Sequence, residues 1–311
     1  MDGASRAAAD PALAAVTTWR YLRLAMIVLV VALLAAVLQE HAQAPGGCWQ
    51  QSISAYWYTP ARGVLVGALV AIGTCLICLK GDTEVQDLLL NLAGICAPVV
   101  ALVPTPDPGT CGSVLAGTAG RDPQVVNNVT ALLTAGGLGL LVVGARTVAG
   151  LVGRTRQRPG ALAVTGFAVV AAIYAGTLTV FLAARDRFVS NGHLVAAGAM
   201  FAFIFLTVCL TAVDFRTSRT ARRGNRYTWV AVLMALAAGV HVVLIIALHW
   251  DHWALSLETT LILLFALFWL LQTVELWNEG LRRRPVPRSE PLVLPGGQRD
   301  RGPRSRTGRS A

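Results

Sequence analysis

Long apolar runs separated by short polar segments dominate this chain. Eight of the runs have about the 17 to 25 residues that a helix needs to cross a hydrocarbon core of about 30 Å. They cover residues 21–38, 63–79, 88–104, 129–150, 161–184, 193–213, 228–248 and 253–274. The pattern predicts an all-α fold, a polytopic bundle of about eight transmembrane helices.

Two polar ends flank the apolar part. Residues 1–20 are rich in alanine without a clear period, which predicts a loose cytoplasmic N-terminal tail. Residues 279–311 are rich in Pro, Gly, Arg and Ser, a composition that predicts a disordered basic cytoplasmic tail. The helical domain is therefore expected at residues 21–278. Ala42-Gln43-Ala44 resembles a signal-peptide cleavage site, but the long leader and the further spans favour an uncleaved first helix.

Composition and charge support a membrane protein. The chain is 55% hydrophobic and only 14% charged, with a mean hydropathy of +0.60. With eight spans, 22 of the 26 lysines and arginines fall on the side of the termini and four on the other. This bias predicts cytoplasmic termini. The net charge of +10 therefore reflects mainly the orientation of the chain in the membrane. The basic loops should also attract anionic membrane lipids, and nucleic acid is not an expected partner.

Residue usage points to a bacterial source. Lys80 is the only lysine beside 25 arginines, and Ala, Val, Leu and Gly are abundant, as in proteins from GC-rich genomes. We therefore expect a multi-pass protein of the bacterial inner membrane.

An aromatic and polar stretch, SISAYWYTPAR at residues 52–62, lies between the first two apolar runs. Tyr and Trp rings favour the headgroup layer, so we expect this stretch at the outer membrane surface. Arg62 is unusual on a side poor in arginine. It could pair with Glu258 or Asp251, hold an anionic headgroup, or extend to lipid phosphate.

The cysteines divide between loops and spans. Cys48 and Cys111 fall in the two large outer loops, where disulfides persist, so we predict that they form a bridge. The other four are expected to act as apolar fillers within the spans. They are Cys75, Cys78, Cys96 and Cys209.

Small residues cluster in two spans and predict close helix packing. Gly63 and Gly67 form a GxxxG pattern in the second span, and the fourth span contains Gly136, Gly137, Gly139 and Gly144. Packing within one bundle is the favoured interpretation, and a homodimer contact is the alternative.

Ionisable residues gather in the outer half of the predicted topology, where all five histidines fall. Glu258 lies inside the last span, and a buried ionisable group there generally faces a partner or a polar cavity. Together these groups predict an outer-side ligand pocket. Its candidate residues are Ser54, Tyr56, Tyr58, Arg62, His193, His241 and Glu258.

A zinc site is the alternative at the turn before the last span, where His249, Asp251 and His252 lie close together. No HExxH motif or similar ligand spacing supports it, and histidines beside Trp250 also suit a wet membrane interface. We therefore predict no cofactor.

Three separated stretches resemble a group of uncharacterised bacterial multi-spanning membrane proteins. They are SISAYWYTPARGVLVGAL, DLLLNLAGICAPVVALVPT, and Leu257-Glu258-Thr259 with Phe268-Trp269. Those proteins carry an SISxYYYTPxR outer loop, an LAG…PT third span and a WLE…FxxSW final span, and Trp57 departs from the pattern. The resemblance implies a single helical bundle without an established activity. Its carried-over candidate positions are Ser54, Tyr56, Tyr58, Arg62 and Glu258.

The function expected from these features is binding or moving a lipid or small lipophilic molecule through the outer-side pocket. A membrane-embedded, metal-dependent hydrolase acting on a lipid is one alternative, because Ser190-x-x-His193 and the HWDH turn are loosely similar to alkaline ceramidases. A structural scaffold is the other. The sequence shows neither a nucleotide-binding loop nor a soluble catalytic domain, so a primary pump driven by this chain alone is not expected. Whether the protein is an enzyme stays open, with a non-enzymatic role favoured.

Overall fold

The computed structural model describes residues 11–106, 111, 121–153, 159–217 and 225–278. Within these ranges the regular structure is entirely helical. The helices are α1 (Pro11–Gln43), α2 (Arg62–Cys78), α3 (Glu84–Leu102), α4 (Arg121–Leu151), α5 (Ala161–Ala183), α6 (Arg185–Thr217), α7 (Arg226–Leu248) and α8 (Trp253–Glu275). Two short 3₁₀ turns, Pro45–Gly47 and Ser54–Tyr58, lie between α1 and α2. The predicted polytopic helical bundle is confirmed.

Seven of the described helices are long and apolar enough to cross a membrane, and α2 is the shorter exception at 17 residues. A helix of this length extends about 25 Å. Side-chain contacts show that α2 nevertheless runs from one end of the bundle to the other. Arg62 at its start donates to Gln124 at the start of α4. Just past its end, Lys80 pairs with Asp87 in the first turn of α3.

The first helix begins on the side of the bundle where the last helix ends. Arg20 in α1 donates to the carbonyl of Trp277, and its guanidinium also lies 5.0 Å from the centre of the Trp277 ring. Helix α1 begins at Pro11, ten residues before the predicted span, because the alanine-rich stretch favours helix and proline suits a first turn. The predicted disordered tail at 279–311 lies outside the described residues.

Six helices form a closed ring. Helix α1 packs on α2, α2 on α3, α3 on α6, α6 on α7, α7 on α8, and α8 returns to α1. Fully buried side chains fill the ring, including Met26, Leu76, Ala93, Val208 and Phe268. The α4–α5 hairpin lies outside, against α3 and α6. Within the hairpin, the Tyr174 hydroxyl of α5 donates to the Leu133 carbonyl of α4 at 2.9 Å.

Glycine packing was predicted correctly in one helix and wrongly in another. Gly137 and Gly144 of α4 face the Tyr174 and Phe167 rings of α5, which confirms the predicted packing face there. Gly63 and Gly67 are exposed, with open space around them. The close approach of α2 uses Gly73 instead: a Cβ there would lie 2.7 Å from the Gly94 carbonyl of α3. A GxxxG spacing does not specify which face of α2 meets a neighbour.

Candidate functional site

The aromatic stretch is packed inside the protein, against helices of the bundle, rather than exposed on its surface. Tyr56, Trp57 and Tyr58 are only 1%, 4% and 5% exposed. They pack against Leu33 and Val37 of α1, together with residues of α2. We call residues 50–62 the cap segment, because it covers one end of the six-helix ring, the end that the charge pattern predicts to be the outer one.

Local hydrogen bonds shape the cap segment. The Ser52 hydroxyl accepts from the Ala55 amide at 3.0 Å, and Thr59 donates to the Tyr56 carbonyl while accepting from the Ala61 amide. These side chains satisfy backbone groups that a single 3₁₀ turn leaves unpaired. The Leu255 amide in the first turn of α8 donates to the Gln51 carbonyl at 2.8 Å. The cap segment therefore also satisfies an amide that a helix start leaves unpaired.

A disulfide ties the chain before the cap segment to the loop after α3. Cys48 and Cys111 are joined, with their Cα atoms 5.7 Å apart, which confirms the predicted bridge. Beside it, the His41 ring stacks on Trp49 with the centroids 3.6 Å apart. The start of the cap segment is thus attached both to the end of α1 and to the chain beyond α3.

Three polar side chains from distant parts of the sequence meet beneath the cap segment. The Ser54 hydroxyl lies 3.2 Å from Glu258 Oε1 of α8 and 2.9 Å from His193 Nε2 of α6. The Ser54 amide donates to Glu258 Oε2 at 3.3 Å. We call Ser54, His193 and Glu258 the outer cluster. Ser54 is its centre, because it contacts both other members.

The orientation of His193 is fixed by a backbone carbonyl at the end of α3. Its Nδ1 lies 2.7 Å from the Val103 carbonyl, and the side chain is buried. A carbonyl oxygen can only accept, so Nδ1 carries a hydrogen and donates it. Nε2 therefore points at Ser54 as an acceptor whenever the imidazole is neutral.

Other predicted pocket residues have different partners. His241 lies 3.0 Å from the Ser256 hydroxyl, and the Tyr58 hydroxyl donates to the Thr105 carbonyl at 2.7 Å. Arg62 donates to Gln124 at 2.9 Å, with its guanidinium 3.5 Å from the centre of the Trp57 ring. It pairs with neither Glu258 nor Asp251. Tyr58 and Arg62 thus hold the cap segment to the chain after α3 and to α4, His241 joins α7 to α8, and none of the three belongs to the outer cluster.

Tyr56 is buried, and its hydroxyl makes no hydrogen bond of normal geometry with the described residues. Burial raises the pKa of Tyr56 above its ordinary value. The nearby Glu40 carboxylate adds to this rise, while the Gln50 backbone opposes it. The phenol is therefore held in its neutral form.

The turn before α8 does not gather a metal site. No group of three or more His, Cys, Asp or Glu side chains among the described residues is arranged to hold a metal ion. His249 ends α7 in a left-handed conformation with φ 46°. Both His249 and Asp251 are exposed, whereas His252 Nδ1 is buried and makes no hydrogen bond within the described chain.

A second polar region lies at the opposite end of the ring, where the sequence pattern predicted no site. A cavity of about 10 Å³ is lined mainly by Arg23, Gln86, Thr207, Thr211, Trp269 and Gln272. This volume is about what one water molecule requires. Gln86 also donates to Asp214 at 3.1 Å. The sequence feature that could have indicated this polar region is the presence of polar residues within apolar runs. Thr207 and Thr211, one helical turn apart, are an example.

Comparison of the chain with models of protein families, with curated proteins and with solved structures finds no match.

Proposed function

We propose that this multi-pass membrane protein lies in the bacterial inner membrane and binds or moves a lipid or small molecule that carries a hydroxyl or amine group. The supporting observation is the Ser54 hydroxyl, which contacts both Glu258 and His193. The resemblance of the cap segment and of Leu257–Thr259 to motifs of other multi-spanning membrane proteins supports Ser54 and Glu258. The charge bias of the loops supports an outer position for this end.

The chemistry of Glu258 indicates a hydrogen-bond donor as ligand. Both of its oxygens lie within hydrogen-bond distance of Ser54: Oε1 contacts the hydroxyl, and Oε2 accepts from the backbone amide. When the cap segment withdraws, a ligand hydroxyl or amine could take over these contacts, and an amine would add a charge-assisted bond. The nearby Leu255 and Ile262 side chains pack on the cap segment and offer an apolar wall for an acyl chain.

Lipid co-purification tests this proposal. The full chain and its Glu258→Gln variant would be purified in the same detergent and their bound lipids compared by mass spectrometry. Glu84→Gln is a matched control, because Glu84 is exposed at the inner end. We expect at least a tenfold loss, about 1.4 kcal/mol, of a selectively retained lipid in Glu258→Gln alone. If no lipid is retained, direct titration of hydroxyl and amine compounds tests a soluble ligand. Identical behaviour of all three proteins in both assays would refute the proposal.

A serine hydrolase without a metal is the second candidate, favoured by one specific arrangement. Ser54 Oγ lies 2.9 Å from His193 Nε2, while Nδ1 is oriented by the Val103 carbonyl. This is the geometry of a nucleophile, a general base and an orienting group. Covalent labelling of Ser54 by a fluorophosphonate, lost in Ser54→Ala but kept in Ser190→Ala, would support this candidate. An unlabelled Ser54 under conditions that label a known serine hydrolase would count against it.

A further inference from the structure

The outer cluster has one hydroxyl hydrogen for two acceptors. His193 Nδ1 donates its hydrogen to the Val103 carbonyl, so Nε2 of a neutral imidazole presents only a lone pair to Ser54. An ionised Glu258 also presents only lone pairs. The single Ser54 hydrogen can satisfy either His193 Nε2 or Glu258 Oε1, although both atoms lie within hydrogen-bond distance. One contact would then bring two acceptors together.

One additional proton removes this conflict. If the proton is on Glu258, Oε1 donates to Ser54, Ser54 donates to His193, and His193 donates to Val103. If it is on His193, Nε2 donates to Ser54 and Ser54 donates to the carboxylate. The same heavy-atom positions serve both arrangements. With two additional protons, Ser54 would accept twice and its own hydrogen would lose both acceptors.

The surrounding charged groups do not replace this proton. The titratable or charged groups at this end include Glu40 and His41 on α1, Tyr56, Tyr58 and Arg62 on the cap segment, Arg185, Asp186 and Arg187 in the first turn of α6, His241 on α7, and His249, Asp251 and His252 before α8. Arg62 is directed to Gln124 and Trp57, and His241 to Ser256 and the Ala237 carbonyl. No cation among the described residues forms an ion pair with Glu258.

We propose that the outer cluster binds one exchangeable proton, shared between Glu258 and His193 through the Ser54 hydroxyl, and that this proton is the coupling ion of the protein. Proton binding completes the contacts that hold the cap segment over α6 and α8. Loss of the proton to the outer solution weakens them and frees the carboxylate for a ligand donor. The coupling role rests on the proposed function, whereas the proton site itself does not.

Two spectroscopic measurements on the full chain in detergent micelles, freed of lipid and without added ligand, test the proton count. The infrared carboxylic-acid band that Glu258→Gln removes and Glu84→Gln retains reports the protonated fraction of Glu258. The ¹⁵N NMR shifts of His193, assigned by loss of its signals in His193→Asn, report the protonation of Nδ1 and Nε2. The pH would range from about 4 to about 9, which spans the ordinary pKa values of carboxyl and imidazole groups.

We expect the protonated fractions of Glu258 and of His193 Nε2 to sum to one near neutral pH and to fall together in one step at higher pH. In Ser54→Ala, which lacks the linking hydroxyl, the two groups should titrate separately. A sum of zero or two at neutral pH would overturn the proposal, as would independent titration in the wild type. Because no ligand is added, these outcomes are independent of the lipid-binding result.

Discussion

Replacing Ser54 should destabilise the protein more than replacing Glu258 with glutamine. Ser54→Ala removes the side-chain contacts to Glu258 and His193, at 3.2 and 2.9 Å. Hydrogen bonds between helices in membranes contribute about 0.6 kcal/mol on average and up to about 1.7 kcal/mol. Loss of two such bonds is therefore expected to lower the free energy of unfolding by about 1–3 kcal/mol.

Glu258→Gln should cost less than about 1 kcal/mol, because the amide reproduces the contacts of a protonated carboxyl group. Its NH₂ can donate to the Ser54 hydroxyl, and its oxygen can accept from the Ser54 amide. Glu258→Ala lacks both groups and should resemble Ser54→Ala or be worse. The variant with glutamine therefore imitates the proton-bound state of the outer cluster.

Reversible unfolding in mixed micelles, followed by tryptophan fluorescence, would measure these differences. Ser190→Ala is the matched control, because Ser190 is exposed and bonds only locally, to the Arg187 carbonyl and to Asn191. The reasoning fails if Ser54→Ala behaves like Ser190→Ala. It also fails if Glu258→Gln is as destabilising as Glu258→Ala, since that would show a requirement for the ionised carboxylate.

Three further predictions concern packing, the disulfide and the cap segment. Gly94→Ala places a Cβ 2.6 Å from the Gly73 carbonyl and should cost about 1–3 kcal/mol in the same unfolding assay, whereas Gly67→Ala, in open space, should cost little. Replacing Cys48 and Cys111 by serine should lower the free energy of unfolding by at most about 4 kcal/mol, because the bridge closes a loop with a sequence separation of 63. If mass spectrometry of the non-reduced wild type finds free thiols at these two positions, the bridge is contradicted. Because the pKa of Tyr56 is raised, its contribution to stability is present below about pH 10 and is lost as the pH rises through the raised value. Tyr56→Phe should therefore remove part of the alkaline loss of stability measured by the same assay, and Tyr21→Phe, at an exposed position, should not.

The helices were predictable because a membrane imposes one strong requirement on the backbone. Every buried amide and carbonyl must bond within its segment, so long apolar runs become helices. Helix boundaries were less predictable. Helix α6 begins at Arg185, eight residues before the predicted span, because its charged first turns extend beyond the apolar run. Hydropathy locates the apolar part of a helix but not the part outside it.

Parts of the outer cluster were predictable from the cost of placing ionisable groups within spans. Because of that cost, Glu258 and the histidines near the predicted outer end were expected to belong to a site. It did not predict that His193 rather than His241 would join Glu258, because the choice depends on how α6 and α7 face the ring. Burial of Trp57 was missed for another reason: an amphipathic ring suits both a headgroup layer and a protein interior that offers a partner such as Arg62.

The lateral position of the α4–α5 hairpin has a consequence for how the architecture can change. The chain leaves the ring after α3 and returns to it at α6 on the same side, so the hairpin adds an even number of crossings. The Val103 carbonyl and the His193 ring are in direct contact, which places the two junctions side by side. A change that keeps this number even, such as loss of the whole hairpin, would therefore leave the directions of α6, α7 and α8 across the membrane unchanged.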